Sequence, residues 1–150
     1  MDEHMDIVAV LIDVENVPRK MLPQIMQQVE DFGQVRIKRA YANWSKENLI
    51  AWKTTLQEYS IRGAQQFDYT AGKNASDMAI VIDAVDICCH ENIDTFVLMS
   101  SDSDFTSLID YLHEHGKTII GVGEDQTPAA FQHACDKFID VDMSKLAESA

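Results

Sequence analysis

The segment 95–105 constrains the fold of this chain more than any other part of the sequence. Its first half, Thr95–Met99, is a β-branched and apolar run of the length expected for a buried strand. Asp102 and Asp104 occupy the turn at which this strand ends. Beyond them, apolar residues recur at helical spacing: Phe105, Leu108, Ile109 and Leu112. A buried strand that runs through an acidic turn into a helix is typical of an open α/β sheet, where ligands bind at the carboxyl ends of the strands.

The acidic turn also has a simpler interpretation, because serine and aspartate are common N-cap residues of helices. A cap needs only one side chain, whereas residues 101–104 supply two acids and two serines. The choice between a cap and a ligand site therefore depends on the rest of the chain.

Strand patterns and helix patterns alternate along the remaining sequence. Further strands are predicted at 7–12, 35–42, 61–67, 118–122 and 138–141. Further helices are predicted after Pro18, Ser45, Ser76 and Pro128. This alternation predicts a Rossmann-like α/β fold of three layers, with a mainly parallel sheet and helices on both faces. Short right-handed connections would bring the carboxyl ends of the strands to one edge.

The strand at 35–42 differs from the others because its apolar and basic residues alternate. The pattern predicts that Val35 and Ile37 share one face of the sheet, and that Arg36 and Lys38 share the other. Such a strand is expected nearer the edge of the sheet than a continuously apolar one.

Length and composition predict one domain at 1–143 with a polar tail at 144–150. The formal net charge of −13 argues against a non-specific nucleic-acid clamp or an anionic membrane surface as partner. The three cysteines, Cys88, Cys89 and Cys135, lack the spacing of a zinc site. The acidic first residues and the short apolar run that ends at Asp13 predict neither a signal peptide nor a membrane span. We therefore predict a cytoplasmic protein with reduced thiols.

The predicted topology brings several carboxylates to one edge of the sheet. Asp13 ends the first strand, Asp102 and Asp104 follow a later one, and Asp77 begins a helix that packs on the same sheet. Each like-charge pair about 4 Å apart costs on the order of 4 kcal/mol at an effective dielectric near 20. Several such pairs rival the whole stability of a domain, about 5–15 kcal/mol. A cluster of this kind must hold a cation or take up protons. If it holds a cation, oxygen ligands without a His/Cys set select Mg²⁺ or Mn²⁺.

Two of these residues also have structural interpretations. Asp77 at a helix N-terminus is favourable through the helix dipole alone. Asn16, three residues after Asp13, could form a turn or an N-cap, or its amide could order the metal shell.

Three segments resemble the acidic motifs of NYN domains, which are PIN-like nucleases, and the match is nearest to the LabA-like branch: 11–16 (Leu-Ile-Asp-Val-Glu-Asn), 73–77 (Lys-Asn-Ala-Ser-Asp) with Asp83-Ala84, and 100–105 (Ser-Ser-Asp-Ser-Asp-Phe). The resemblance spans about residues 6 to 142 and implies a PIN-like fold and Mg²⁺- or Mn²⁺-dependent ribonuclease activity. It also implies metal ligation by Asp13, Asp77, Asp102 and Asp104, with Asn16 beside them. Ser103 stands where glycine is common in the family.

The first functional hypothesis is an endoribonuclease that cleaves single-stranded RNA to 5′-phosphate and 3′-hydroxyl ends. The second is a binding or regulatory module that keeps the fold without turnover, since the net charge of −13 leaves little attraction for a polyanion. Another Mg²⁺-dependent phosphohydrolase or a receiver domain is a third, although a receiver would need paired acids after the first strand, where Val14 follows Asp13. A homodimer is left open.

The RNA is predicted to cross Arg36 and Lys38 and to enter the acidic cluster past Lys73. Tyr41 and Trp44 are interleaved with these cations and could stack on unpaired bases. In the alternative interpretation, the aromatic residues belong to the core and the cations are ordinary surface charges.

Overall fold

A computed structural model describes residues 5–46, 49–65, 75–100, 105–124 and 127–141, with only the backbone of Asn16 and of residues 75–77. These residues form six strands: β1 (Ile7–Asp13), β2 (Gln34–Ala42), β3 (Arg62–Gln65), β4 (Thr95–Met99), β5 (Thr118–Gly123) and β6 (Lys137–Asp140). They also form five α-helices: α1 (Leu22–Val29), α2 (Ile50–Glu58), α3 (Ala75–His90), α4 (Thr106–Glu114) and α5 (Ala129–Ala134). Short 3-10 turns occupy Val14–Asn16, Arg19–Met21 and Glu30–Phe32.

The strands form one parallel sheet in the order β3-β2-β1-β4-β5-β6. The predicted parallel α/β architecture is therefore confirmed. β1 and β4 lie side by side in the middle, and the chain winds outward from them in opposite directions. Their carboxyl ends form the switch point at which open α/β sheets bind ligands.

Helices cover both faces of the sheet, as predicted for three layers. On one face, which we call the α1 face, Val8, Val10 and Ile12 of β1 pack with side chains of α1 and α2. On the other, which we call the α3 face, Ala9 and Leu11 pack with α3, α4 and α5. The strict alternation along β1 follows from the two-residue period of a strand.

A β-bulge in β2 changes the predicted faces of that strand. Val35 pairs with Val8, but Ile37 pairs with Ala9, so Arg36 is an extra residue between them. Val35 consequently packs on the α1 face and Ile37 on the α3 face. The prediction that Val35 and Ile37 share a face is wrong for this reason. Beyond the bulge, Arg39 and Tyr41 follow Ile37 at the two-residue period.

Candidate functional site

The candidate site lies at the carboxyl edge of the sheet, on the α3 face. Tyr41, Asp13, Ser100 and Gly123 form a row across the strand ends. Asp13 is the register partner of Tyr41. Ser100 and Gly123 follow Met99 and Val122, which are themselves register partners. The side chains of Tyr41, Asp13 and Ser100 therefore project toward the same helices, α3 to α5, and Gly123 lies at the corresponding position of β5.

Asp13 is the acidic group at the centre of this row. It ends β1, is fully buried (0% exposed), and accepts a 3.3 Å hydrogen bond from the Ser100 hydroxyl at its Oδ2. A buried carboxylate is costly unless hydrogen bonds or a cation stabilise its charge. Asp13 thus lies at the switch point of the sheet, as the sequence predicts, in surroundings where a cation would be strongly stabilising.

Asp77 belongs to the first turn of α3, of which the backbone is described. The carboxyl end of α3 leads through Ile93 to the start of β4, where the Asp94 amide donates to the carbonyl of Ile7 at 2.8 Å. The last turn of α3 therefore lies at the amino edge of the sheet, and its first turn points toward the carboxyl edge. The residues of α3 that follow position 77 at helical spacing are buried on the α3 face: Ile80, Ala84 and Ile87.

Asp102, Asp104 and Lys73, three further predicted site residues, lie outside the described residues. The described residues on either side of 101–104 are Ser100, which contacts Asp13, and Phe105, which is buried in the α3-face core. Asn16 is the last residue of the 3-10 turn after Asp13, and the structure describes only its backbone.

A polar network that sequence reasoning missed joins α3 to β2. Arg39 Nη1 donates to both carboxylate oxygens of Asp83, at 2.7 and 2.8 Å, and the Tyr41 hydroxyl donates to Asp83 Oδ2. The hydrogen bond to Asp83 is the largest cause that raises the pKa of Arg39. Burial, followed by the bond to Asp83, raises the pKa of Tyr41 well above its ordinary value, so the phenol remains a donor. The alternation of β2 places Arg39 and Tyr41 on one face, but nothing in the sequence assigns Asp83 to them.

The two predicted substrate-binding residues of β2 do not lie at this edge. Arg36 is exposed at the bulge. Lys38 lies on the α1 face and donates to the carbonyl of Tyr59 at 2.5 Å, beside Met26 of α1. Its register partner is Val10, three residues before Asp13, so Lys38 lies about 10 Å along the strand from the level of Asp13.

The two aromatic residues considered for base stacking are engaged in packing. Tyr41 is buried in the α3-face core. The Trp44 indole packs on the α1-face core, and its Nε1 donates to the carbonyl of Ala64 at 3.0 Å. The alternative interpretation, that both belong to the packing of the fold, is the one that these contacts support.

Lys46 is the basic residue that the structure brings to the carboxyl edge. Its Nζ lies 3.1 Å from Oε1 of Glu15, two residues after Asp13, and both side chains are largely exposed. The ammonium group of Lys46 therefore lies on the surface, beside a residue that follows Asp13 by two positions.

A buried hydroxyl lies at the other end of the row. Thr127 is only 4% exposed, and its Oγ1 has no hydrogen-bond partner in the described structure. A Cβ added to Gly123 would approach this oxygen to 2.5 Å and the carbonyl oxygen of Ser100 to 3.1 Å. Glycine is thus required for the close approach of this hydroxyl to the strand ends.

The atoms described at this edge that could ligate a metal are oxygens. The carboxylate of Asp13 and the hydroxyls of Ser100 and Thr127 suit a hard divalent cation rather than zinc. Among the side chains that the structure describes, no group of three or more acidic, histidine or cysteine residues could hold a metal ion. The other predicted ligands, the carboxylates of Asp77, Asp102 and Asp104, are not among the side chains that the structure describes.

The fold and this edge define a class: an α/β domain with a parallel sheet and a buried aspartate at its switch point. Residues 7–143 match the model of the NYN domain family, and the chain belongs to that family. NYN domains are PIN-like domains and are generally nucleases.

A crystal structure of VPA0982, a protein of unknown function from Vibrio parahaemolyticus, has a similar fold. It superposes with a TM-score of 0.76 and 19% identity, over 95% of this chain and 96% of that one. No curated protein sequence matches the chain. In the described part of the chain, none of the helices has the length and apolar character that crossing a membrane requires.

Proposed function

We propose that this protein is a Mg²⁺- or Mn²⁺-dependent ribonuclease of the LabA-like branch, which cleaves single-stranded RNA internally. Membership of the NYN family supports nuclease chemistry in general. The observation that carries the proposal is the position of Asp13, a fully buried carboxylate between the carboxyl ends of β1 and β4. Asp13 contacts the residue that precedes the acidic segment 101–104, and the first turn of α3 points to the same edge.

In this proposal, Asp13, Asp77, Asp102 and Asp104 hold the metal, and Asn16 contributes a polar group beside it. A bound Mg²⁺ or Mn²⁺ would lower the pKa of a coordinated water and neutralise charge on the scissile phosphate. Ser100 would orient Asp13, because its hydroxyl donates to Oδ2 of the carboxylate. The buried setting of Asp13 would strengthen its attraction for a cation, since electrostatic interactions grow as water is excluded.

The substrate is proposed to reach the site past Lys73, with the carboxyl edge around Lys46 and the loop that begins at Gly123 as the other surfaces available to it. Arg36 and Lys38 remain predicted contacts, but Lys38 is bound to the Tyr59 carbonyl on the α1 face. RNA bound near Asp13 would therefore have to extend across the edge of the sheet to meet them.

The decisive experiment is an RNA cleavage assay with single-stranded RNA and Mn²⁺, with Asp102→Asn as the matched control. We expect cleavage by the wild type, with 5′-phosphate and 3′-hydroxyl ends, and loss of cleavage in Asp102→Asn and on addition of EDTA. Equal cleavage by the wild type and the variant would assign the activity to a contaminant and would refute the proposal.

A second candidate function is a binding or regulatory module without turnover. The observation that favours it is that several basic side chains already bind partners within the protein. Lys38, Arg39 and Lys46 are bound to Tyr59, Asp83 and Glu15, in a chain with a net charge of −13. Calorimetric titration with Mn²⁺ and then RNA, beside the cleavage assay, separates the two functions. Metal binding without RNA binding or cleavage would favour the module.

A further inference from the structure

The network of Asp83, Arg39 and Tyr41, which we call the α3 anchor, is a polar contact within the α3-face core. Tyr41 is 1% exposed, and its hydroxyl bonds Asp83 from within that core. The Arg39 guanidinium and the Asp83 carboxylate are each only about a quarter exposed, with side-chain exposures of 23% and 22%. A charged pair bound to a buried phenol fixes its partners more tightly than an exposed surface pair does.

The α3 anchor lies close to the proposed metal site on both of its sides. In the sheet, Tyr41 is the register partner of Asp13 on the neighbouring strand. In the helix, Asp83 follows Asp77 by six residues, which corresponds to about 9 Å along the helix axis. The anchor therefore joins the strand beside Asp13 to the helix that carries Asp77.

Asp83 itself is not free to serve as a metal ligand in this arrangement. Both of its oxygens accept hydrogen bonds from Arg39, and one also accepts from Tyr41. The guanidinium balances its charge without a metal ion. The carboxylate thus has a role other than ligation, and its partners make it more than a solvated position on the helix surface.

We propose that Tyr41, Arg39 and Asp83 are positioning residues, which fix α3 along its axis so that Asp77 meets Asp13 at the metal site. This role rests on the proposed function. A shift of α3 by a fraction of its pitch would move Asp77 relative to Asp13, and metal ligation is sensitive to such displacements. Residues that orient metal ligands change metal affinity about 10- to 100-fold when they are replaced.

The chain offers a matched control at the other end of the same helix. The Tyr111 hydroxyl lies 3.4 Å from the Cys89 sulfur in the last turns of α3, near the amino edge of the sheet. Tyr41→Phe and Tyr111→Phe each remove one phenol hydroxyl that contacts α3 and keep the aromatic ring. Only the first removes a contact that lies beside the proposed site.

The experiment measures Mn²⁺ affinity by calorimetry without RNA, together with hydrogen exchange of the α3 amides. We expect Tyr41→Phe to bind Mn²⁺ about tenfold more weakly than the wild type and to exchange faster around Asp83. Tyr111→Phe should keep the wild-type Mn²⁺ affinity. Asp83→Asn, which keeps the shape of the side chain and removes its charge, should weaken Mn²⁺ binding in the same direction as Tyr41→Phe.

The two proposals fail in different ways. Wild-type Mn²⁺ affinity in both Tyr41→Phe and Asp83→Asn would overturn the positioning role and leave the proposed function standing. Equal weakening by Tyr41→Phe and Tyr111→Phe would also overturn it, because the effect would then follow from general loosening of α3. Absence of Mn²⁺ binding by the wild type would overturn the proposed function, and the positioning role with it.

Discussion

The two faces of the sheet end differently at the carboxyl edge. On the α1 face, the last inward side chains of the central strands are apolar: Ile12, Met99 and Val122. On the α3 face, one residue further along the same strands, they are Asp13, Ser100 and Gly123. Both faces have dense apolar cores, yet among the described residues at these strand ends the buried polar side chains, Asp13 and Ser100, lie on the α3 face.

Under the proposed function, this difference separates residues that stabilise the fold from residues that carry the chemistry within one sheet. On the α1 face, α1 and α2 pack on the sheet through apolar contacts. Lys38 on this face donates to the Tyr59 carbonyl. The α3 face combines its core with the carboxylate of Asp13 and the α3 anchor. Because successive residues of a strand point to opposite faces, neighbouring positions such as 12 and 13 can serve the two purposes independently.

The largest expected effect comes from a comparison of two single substitutions, one at position 13 and one at position 12. Asp13→Asn should reduce Mn²⁺-dependent RNA cleavage by about 100-fold or more, the scale seen when one group that stabilises transition-state charge is lost. Ile12→Val should keep cleavage and lower the free energy of unfolding by about 0.5–1.5 kcal/mol. Cleavage rates and urea unfolding of both variants test this. Comparable loss of activity in Ile12→Val would contradict the separation of the faces.

The next effect concerns the metal. Mn²⁺ that binds only the native state stabilises it by about 2.7 kcal/mol at 100 times its dissociation constant, so the melting temperature of the wild type should rise. Asp77→Asn and Asp102→Asn should melt higher than the wild type in EDTA, because a like-charge repulsion is removed, and should lose most of the gain from Mn²⁺. Differential scanning calorimetry with and without Mn²⁺ measures both. A wild-type melting temperature that millimolar Mn²⁺ leaves unchanged would count against a shared acidic site.

Not every polar group on the α3 face belongs to the site, and Asp136 near the amino edge shows this. It accepts hydrogen bonds from the Ile119 amide at 2.7 Å and from His113 Nε2 at 2.8 Å. Partial burial raises the pKa of Asp136, but the hydrogen bonds from Ile119, His113 and the backbone amide of Asp136, together with the charge of His113, hold the pKa below its ordinary value. The stabilisation is therefore present above the pKa of the unfolded carboxyl, about 4, and is lost as the pH falls through the lower folded pKa.

We expect Asp136→Asn to lower the free energy of unfolding by at most about 1 kcal/mol at pH 7, since the side chain is nearly half exposed. The difference from the wild type should shrink toward pH 3, and cleavage at pH 7 should be unchanged. Urea unfolding at the two pH values tests the stability, and a cleavage assay tests the activity. A difference that grows on acidification would contradict a lowered pKa of Asp136 in the folded protein.

The central strands β1, β4 and β5 were predictable because their apolar runs have the length and residue types of buried strands. Thr95–Met99 is β4 with the bounds that the sequence predicts, and Asp13 ends β1 as expected. The bulge at Arg36 was not predictable, since the alternation of β2 continues unbroken through it and only pairing with β1 reveals the extra residue. The partners of Asp83 were missed for a similar reason, because Arg39 lies 44 residues away along the chain and meets it only through packing of α3 on the sheet.

The smallest expected effect concerns the surface that the nucleic acid contacts, at the carboxyl edge or near the bulge of β2. Lys46 lies at the carboxyl edge beside Glu15, whereas Arg36 lies at the bulge, about 15 Å along β2 from the level of Asp13. Lys46→Glu should weaken RNA binding several-fold and reduce the salt dependence of log K by about one phosphate contact. Arg36→Glu changes the net charge equally and should weaken RNA binding less than Lys46→Glu, because Arg36 lies farther from the proposed site. Fluorescence anisotropy over a range of salt concentrations distinguishes them, with Mn²⁺ affinity as the check that the site is intact. Stronger weakening by Arg36→Glu would show instead that RNA crosses the amino half of β2, in line with the contacts at Arg36 and Lys38 that the sequence predicts.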